Sequence, residues 1–295
     1  MSVEDFSRRD DAIRHHTYAS VRRRDGVPHR LFARYWRDVH GPLCARLPGL
    51  GYYVQQHFDR DRTANLWPVA DGVRRMTAVL DGSAEIGFAS PQDQATFAEA
   101  GTILYADEAN FIGEAVAYNL PGGSRTFVDR EENSARNGPD SLHRLHIYMA
   151  RRSGAETDTW LSESFATFAA ERVVQKVKLH LPEDYSNEHP APPSPNVVHT
   201  VDDDRLSLAI AEIAFENARI AREFFATGIF QQSLAEQGKY LKAVAAFLVA
   251  GVYTYVRDGR PTTAGLRGSS QAELIEALGA ANQLDRGIAA LFTGG

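Results

Sequence analysis

The motif Arg14-His15-His16-Thr17-Tyr18 returns 130 residues later as Arg144-Leu145-His146-Ile147-Tyr148. Two more pairs of segments follow in the same order, at offsets of 123 and 127: Val54–Phe58 with Val177–Leu181, and Ala84–Phe88 with Ala211–Phe215. Three matches in one order and at nearly constant offset indicate an internal repeat. The chain therefore contains two copies of one structural unit.

Hydrophobic periodicity predicts the same order of elements, βαββαβ, in both copies. The first copy has predicted strands at 13–22, 52–58, 83–89 and 114–120 and predicted helices at 28–46 and 91–100. The second copy has predicted strands at 143–150, 173–181, 206–215 and 249–256 and predicted helices at 157–171 and 217–227. A βαββαβ unit forms an antiparallel sheet with both helices on one face, the ferredoxin-like arrangement.

The free face of such a sheet is apolar and has to be covered. We therefore predict an α+β fold in which two tandem ferredoxin-like units pair their sheets into a pseudo-dimeric α+β barrel. The predicted divisions are a first unit, a polar linker, a second and diverged unit, and a C-terminal helical extension: 1–123, 124–141, 142–260 and 261–295. The proline-rich segment 182–204 is predicted to be a long surface loop inside the second unit.

Composition excludes several classes of protein. The 295 residues carry a formal net charge of −6, which argues against bulk electrostatic binding to nucleic acid or to a membrane surface. The longest apolar stretch, 243–253, is about half the length that spans a bilayer. The polar N-terminal segment 1–11 has no apolar signal region, so we expect a cytoplasmic protein. The single cysteine, Cys44, excludes intrachain disulfides and cysteine-rich zinc sites.

One stretch resembles a known family. Phe32–Leu43 (FARYWRDVHGPL), followed by Leu47-Pro48-Gly49, and Asp81–Ile86 (DGSAEI) are similar to the EthD-like family of the dimeric α+β barrel superfamily. The resemblance covers about residues 12–120. It implies the fold predicted above and a small hydrophobic or aromatic carbonyl substrate, held between the sheet and the helices of one unit. Members of the superfamily catalyse many different reactions, so the resemblance does not imply one chemistry.

His40 is the leading catalytic candidate. On the predicted helix the apolar residues Phe32, Trp36, Val39 and Leu43 form one stripe, and His40 lies at its edge beside Gly41-Pro42. A half-buried imidazole there could act as a general acid or base. The alternative is a histidine that hydrogen-bonds the carbonyls at the end of the helix.

Strand residues supply further candidates. Alternation places His16 and Tyr18 on one face of the first strand, and Tyr53 and His57 on one face of the second. If both faces meet one cavity, Tyr18 and His57 would join His40 in catalysis by binding a developing oxyanion. His16, Trp36 and Tyr53 would bind the substrate. The alternative is that these rings pack the barrel.

The second copy repeats part of this pattern in His146, Tyr148 and His180, but its helix at 157–171 has no counterpart of His40. We therefore expect any chemistry in the first unit. A His16/His57 or a His146/His180 pair could ligate a metal, but no HExxH motif, His-x-His with a carboxylate or cysteine pair supports such a site, so neither a metal nor another cofactor is predicted. Asp38 is expected to be solvated, and Glu85 and Glu212 share one structural setting.

The function predicted from the sequence is a cofactor-independent enzyme that acts by proton transfer on a hydrophobic or aromatic carbonyl compound. It would be a lyase (dehydratase or decarboxylase) or an isomerase or cyclase, in catabolism or secondary metabolism. One alternative is a cofactor-free oxygenase of phenolic substrates, and another is a non-catalytic binding or accessory protein. We expect a small-molecule partner, no nucleic acid, no membrane, and a possible homodimer of the two-unit chain.

Overall fold

The computed structural model describes residues 4–152 and 155–293, so the outer ends of the first and last predicted divisions lie outside the described residues. In the first unit the predicted helix at 28–46 bends through a π-helical turn. A second helical segment follows directly on the predicted helix at 91–100. The elements are β1 (His15–Arg23), α1 (His29–Tyr35), the π turn (Trp36–His40), α2 (Gly41–Ala45), β2 (Tyr52–Phe58), β3 (Arg74–Arg75), β4 (Gly82–Phe88), α3 (Pro91–Ala100), α4 (Thr102–Phe111) and β5 (Ile112–Leu120).

The second half repeats this order, and a helical extension follows it. Its elements are β6 (Arg125–Asp129), β7 (Asn137–Pro139), β8 (His143–Arg151), α5 (Ala155–Ala169), β9 (Val174–His180), a 3-10 turn (Asp203–Arg205), β10 (Leu208–Phe215), α6 (Ala218–Phe225), α7 (Gly228–Tyr240) and β11 (Leu241–Arg257). The extension contains β12 (Arg260–Pro261), α8 (Thr263–Arg267), α9 (Ser269–Leu278), a 3-10 turn (Ala281–Leu284) and α10 (Arg286–Thr293). Within the described ranges, no helix has the length and apolar character needed to cross a membrane.

The strand order confirms the predicted α+β fold. The first unit has the order β5-β1-β4-β2 and the second has β11-β8-β10-β9, which is the antiparallel order of a ferredoxin-like sheet in both cases. β11 joins the two sheets because residues 241–248 pair with β8 while residues 249–256 pair with β2. A strand at the end of the first unit extends the second sheet at its other edge: β6, which follows β5, pairs with β9. Part of the predicted linker is therefore an edge strand of the second sheet.

Strand register shows which residues of the two copies correspond. Tyr18 lies opposite Glu85 in the first sheet, and His146 lies opposite Glu212 in the second. Tyr18 therefore corresponds to His146, 128 residues away, rather than to Tyr148. His146 and Tyr148 are two positions apart on β8, so their side chains lie on the same face of the sheet, because side chains alternate with a period of two.

The match of Val54–Phe58 with Val177–Leu181 is shifted by one residue, which moves a side chain to the other face. Gln56 lies opposite Ser83, and His180 lies opposite Ile210. Ser83 and Ile210 each come two positions before the glutamate of their own sheet. Gln56 is therefore the counterpart of His180. His57, which the sequence match had placed there, lies on the helix-covered face instead.

Each unit also sends a long loop across to the other unit. The loop between β2 and β4 carries Trp67 into the apolar core under the helices of the second unit. The loop at 182–204 runs along β5, where Ala117 N donates to Ala191 O over 3.0 Å and Val198 N donates to Gly113 O over 2.9 Å. The predicted loop is present, but it covers the first unit.

The C-terminal extension packs against the π turn of the first unit. Asp38 accepts hydrogen bonds from the backbone N–H (2.8 Å) and the hydroxyl (2.9 Å) of Ser270 at the start of α9. The expectation that Asp38 is solvated was therefore wrong, because its carboxylate satisfies a donor at a helix N-terminus. Within the predicted helical extension, a 3-10 turn separates α9 from α10.

Candidate active site

A cavity of about 240 Å³ lies between the sheet of the first unit and its helices. Its wall is mostly apolar, and the loop from the second unit closes one side with Ala191, Pro192 and Pro193. The other lining residues come from β1, β2, β4, β5, the π turn, α2, α3, α4 and the residue between α3 and α4: Thr17, Ala19, Val21, Trp36, His40, Cys44, Tyr53, Ala84, Ile86, Phe88, Gln94, Phe97, Ala98, Gly101, Leu104, Tyr105, Glu108, Ile112, Ala115 and Ala117.

The π turn explains why His40 reaches this cavity. An α-helix advances about 100° per residue, so one extra residue in a wide turn sets later residues back by that angle. His40, about 80° from Phe32 in a regular helix, thereby comes to within about 20° of it. Val39 is displaced by the same rotation. Accordingly His40 is 5% exposed and Val39 is 47% exposed, the reverse of the predicted stripe.

Pro42 is the local cause of the π turn. It has no N–H to donate to the carbonyl of Asp38, and the N–H of Gly41 bonds the carbonyl of Trp36, five residues back. The carbonyl of Arg37 thereby loses its partner within the helix. It accepts a hydrogen bond from the hydroxyl of Tyr255 instead (2.8 Å), so a strand of the second unit stabilises the turn.

His40 is held by a carboxylate. Its Nδ1 lies 2.8 Å from Oδ2 of Asp107 on α4, and Oδ1 of Asp107 accepts a hydrogen bond of 2.5 Å from Tyr35. Burial alone would raise the pKa of Asp107, but these hydrogen bonds outweigh burial and hold the pKa below its usual value. The ionised carboxylate selects the tautomer with the proton on Nδ1, which leaves Nε2 as the basic nitrogen.

Glu108, the next residue on α4, lines the same cavity. Burial raises the pKa of its carboxyl group, although His40, Ser194 and His199 act in the opposite direction. The hydroxyl of Ser194, from the covering loop, donates to Oε2. A carboxyl group with a raised pKa keeps its proton at higher pH and can serve as an acid.

Three of the six predicted site residues lie in this wall, namely His40, Trp36 and Tyr53. The hydroxyl of Tyr53 accepts a hydrogen bond of 2.7 Å from Gln55, and its ring stacks on Tyr255. Burial raises the pKa of Tyr53 well above its usual value, so the phenol stays neutral. The three residues bring a base, an aromatic surface and a hydroxyl to one apolar cavity.

The other three predicted residues lie elsewhere. His57 is on the helix-covered face, but its ring stacks on Trp36 at 4.5 Å and its Nε2 bonds Gln55. Tyr18 and His16 point into the barrel, on the opposite face of the sheet. There Tyr18 contacts His146 and His16 contacts Ser124. The two strands therefore do not present all their polar residues to one cavity.

Asp107 and Glu108 were missed because the predicted second helix ends at Ala100. The helical segment continues as α4 to Phe111. A signal was present: Leu104 and Phe111 are seven residues apart, with Asp107 and Glu108 between them at helical spacing from Leu104. Acidic residues inside an apolar stripe indicate a polar group that faces the interior.

The equivalent space in the second unit is filled. Trp67, from the loop of the first unit, packs against Phe165, Phe225 and Phe230 at ring distances of 6.5, 5.3 and 5.1 Å. The loop that covers the first unit contributes Ala191, Pro192 and Pro193 to the cavity wall, and none of these residues is aromatic. The large side chain of one loop and the small ones of the other account for the difference between the units.

Comparison with solved structures shows the fold alone, because sequence identity is low. A "Putative monooxygenase" from Fusobacterium nucleatum subsp. nucleatum is 6% identical with a TM-score of 0.50, over 85% of this chain and 97% of that chain. An anthrone oxidase-like protein is 7% identical with a TM-score of 0.49, over 85% and 96%. A chlorite dismutase variant from Candidatus Nitrospira defluvii is 10% identical with a TM-score of 0.37, over 80% and 90%.

Among proteins with curated functions, none matches the chain. The family model of the EthD domain matches residues 24–115, which include the π turn, His40 and both acidic residues of α4. This range agrees with the resemblance seen in the sequence. Residues 24–115 of the first unit therefore match the EthD domain, and the chain as a whole shares the fold of the dimeric α+β barrel proteins.

Proposed function

We propose that the chain is a small-molecule enzyme that removes a proton from a hydrophobic or aromatic carbonyl compound in the cavity of the first unit. The observation that carries this proposal is the contact of 2.8 Å between His40 Nδ1 and Asp107 at the wall of an apolar cavity. An imidazole oriented by a carboxylate, here the half-buried Asp107, is a recurrent form of general base.

The proposed reaction starts at a C–H or O–H next to a carbonyl group. Nε2 of His40 takes the proton. When it comes from a C–H bond, the electron pair left on the carbon is delocalised onto the carbonyl oxygen as an enolate, and when it comes from an O–H bond the charge stays on that oxygen. Asp107 stabilises the imidazolium that forms, because its carboxylate is fixed by two hydrogen bonds. The apolar wall excludes water, which strengthens this interaction.

Glu108 supplies the second proton-transfer group. Its carboxyl, with a pKa raised by burial, donates a proton to a carbon of the enolate in an isomerisation, or to the oxygen of the leaving hydroxyl group in a dehydration. A base and an acid in one cavity are sufficient for isomerisation, and for dehydration if a hydroxyl group lies next to the acidic carbon. The aromatic side chains of Trp36 and Tyr53 favour a flat substrate.

The test uses 2-tetralone, a bicyclic aromatic ketone with acidic C–H bonds beside its carbonyl. Exchange of these hydrogens for deuterium is followed by NMR in D₂O with the full chain and with His40→Gln. We expect the wild-type chain to accelerate the exchange, and the substitution to reduce that acceleration by about 10²-fold or more. His189→Gln, at an exposed histidine, is the matched control and should leave the exchange rate unchanged.

The same samples separate the alternatives. An oxygenase would consume oxygen when an electron-rich phenol is added, and an oxygen electrode detects this directly. A binding protein would bind 2-tetralone, measured by calorimetry, without faster exchange. Equal exchange by the wild-type chain and a folded His40→Gln variant would refute the proposal.

A further inference from the structure

The barrel interior, between the two sheets, holds a second cluster of ionisable side chains that the proposed function does not use. Glu85 of the first sheet and His146 and Glu212 of the second are at most 2% exposed. One potential ligand atom from each of the three lies within 4.8 Å of the other two. The cluster is on the opposite face of β4 from the cavity that contains His40.

His146 of this cluster and the neighbouring His180, which approaches Glu85, each have an unsatisfied nitrogen. Nδ1 of His146 lies 2.7 Å from the Tyr18 hydroxyl, and Nδ1 of His180 lies 2.7 Å from the Ser124 hydroxyl. In both residues Nε2 is buried without a hydrogen-bond partner among the described residues. Nε2 of His180 is 3.8 Å from Oε1 of Glu85. Burying unpartnered polar nitrogens costs free energy, so two of them beside a pair of carboxylates point to a missing ligand.

Neighbouring groups fix the two carboxylates. Lys178 Nζ is 2.5 Å from Oε2 of Glu85, and Gln56 Nε2 donates to Oε1 of Glu85 over 2.9 Å. Arg144 donates to Oε1 of Glu212, and Lys176 approaches the same oxygen at 3.5 Å. Hydrogen bonds of this kind orient carboxylates that bind metal ions. Lys178 is also a competitor, because its ammonium group neutralises Glu85.

An approach from the end of the barrel is present. A cavity of about 30 Å³ is lined there by Tyr52, Gln56, Arg144, Lys176 and Glu212, next to the cluster. Its size suits water or a single ion and is far below the 240 Å³ of the cavity in the first unit. A small cation fits this cavity, which touches the cluster at Glu212, whereas an organic ligand does not fit.

We propose that the barrel interior binds one divalent first-row transition-metal ion, such as Zn²⁺, through Nε2 of His146 and His180 and the carboxylates of Glu85 and Glu212. Two imidazoles and two carboxylates form a donor set that suits zinc and its neighbours. Tyr18 and Ser124 orient the imidazoles through Nδ1, as outer partners of ligating histidines do. Because Glu85 belongs to the first unit and the other ligands to the second, the ion would tie the two sheets together.

The test is a titration of the metal-free full chain with Co²⁺, followed by its visible d–d absorption, and then displacement by Zn²⁺. We expect saturation at one equivalent and a higher unfolding temperature with Zn²⁺. His146→Gln and Glu212→Gln should each weaken binding by tenfold or more. His189→Gln, at an exposed histidine, should leave the affinity unchanged.

Lys178→Met gives an independent outcome, because it removes the cation that competes for Glu85 and should raise the affinity. Circular dichroism establishes that each variant is folded. Absence of saturable binding to the wild-type chain would overturn the proposal. So would binding that His146→Gln and Lys178→Met both leave unchanged, since that result would place the ion at a surface site.

Discussion

His40 and Asp107 are joined across two helical segments by a contact of 2.8 Å between Nδ1 and Oδ2. The π turn brings His40 to this position, and the hydroxyl of Tyr35 fixes the carboxylate from its other side. The orientation of the imidazole is thus set by groups outside its own turn. Changes to these groups should alter the chemistry of the cavity without removing the base.

Asp107→Asn tests the role of the carboxylate. The amide keeps the size of the side chain but cannot stabilise an imidazolium, and it can present an N–H to Nδ1 and so favour the wrong tautomer. We expect a loss of about 10²-fold or more in the exchange rate of 2-tetralone, with its affinity almost unchanged. Exchange kinetics give the first quantity and calorimetry the second.

Tyr35→Phe is the matched control for that substitution, because it removes one hydrogen bond from Asp107 and leaves the carboxylate in place. It should reduce the exchange rate much less than Asp107→Asn does. Equal losses in the two variants would show that the effect comes from disturbance of α4 rather than from the carboxylate charge.

The repeat predicted the fold well because it reports on whole units. Two copies of βαββαβ, each with one sheet face to cover, can bury those faces against each other. What the pattern could not show is how far a strand continues. The predicted strand at 249–256 is the half of β11 that pairs with the first unit, whereas residues 241–248 belong to the second sheet.

The site was predicted less completely, for a local reason. A helical wheel assumes a constant advance of about 100° per residue, and the π turn breaks that assumption between Trp36 and His40. The sequence contained the cause, Pro42, but a proline in the last turn of a helix is also compatible with a simple end. The contact with Asp107 depends on how α4 packs, which periodicity does not describe.

Gly41→Ala should destabilise the fold at the π turn. A Cβ there would overlap Cζ of the Tyr255 ring, which stacks on Tyr53 and has no room to withdraw. We expect a loss of about 1–3 kcal/mol in the free energy of unfolding, measured by urea denaturation. Gly228→Ala is the control, because a Cβ at that position would meet open space, and the substitution should be neutral or slightly stabilising.

Trp67→Ala should open a cavity in the second unit. The indole fills the space among Phe165, Phe225 and Phe230, and its removal should cost about 3–5 kcal/mol of unfolding free energy. An apolar cavity of this kind stays dry and can bind benzene. Benzene should therefore raise the unfolding temperature of the variant above that of its benzene-free sample. No such rise would mean that the surrounding rings collapse into the space.

His57 should make the stability of the protein depend on pH. Burial lowers the pKa of its imidazole from 6.5 to about 3, and the positive charge of Arg37 acts in the same direction. Between these two values the unfolded chain binds a proton that the folded chain excludes, so the contribution of His57 to stability falls as the pH falls. The loss approaches about 1.4 kcal/mol per pH unit below the unfolded pKa.

His57→Gln removes this titrating group and keeps a polar side chain at the position. The wild-type chain should therefore lose stability faster than the variant when urea denaturation is repeated at pH 7, 6 and 5. The other histidines titrate in both proteins, so the difference between the two curves isolates His57. Parallel losses in the two proteins would show that His57 does not exclude a proton in the folded state.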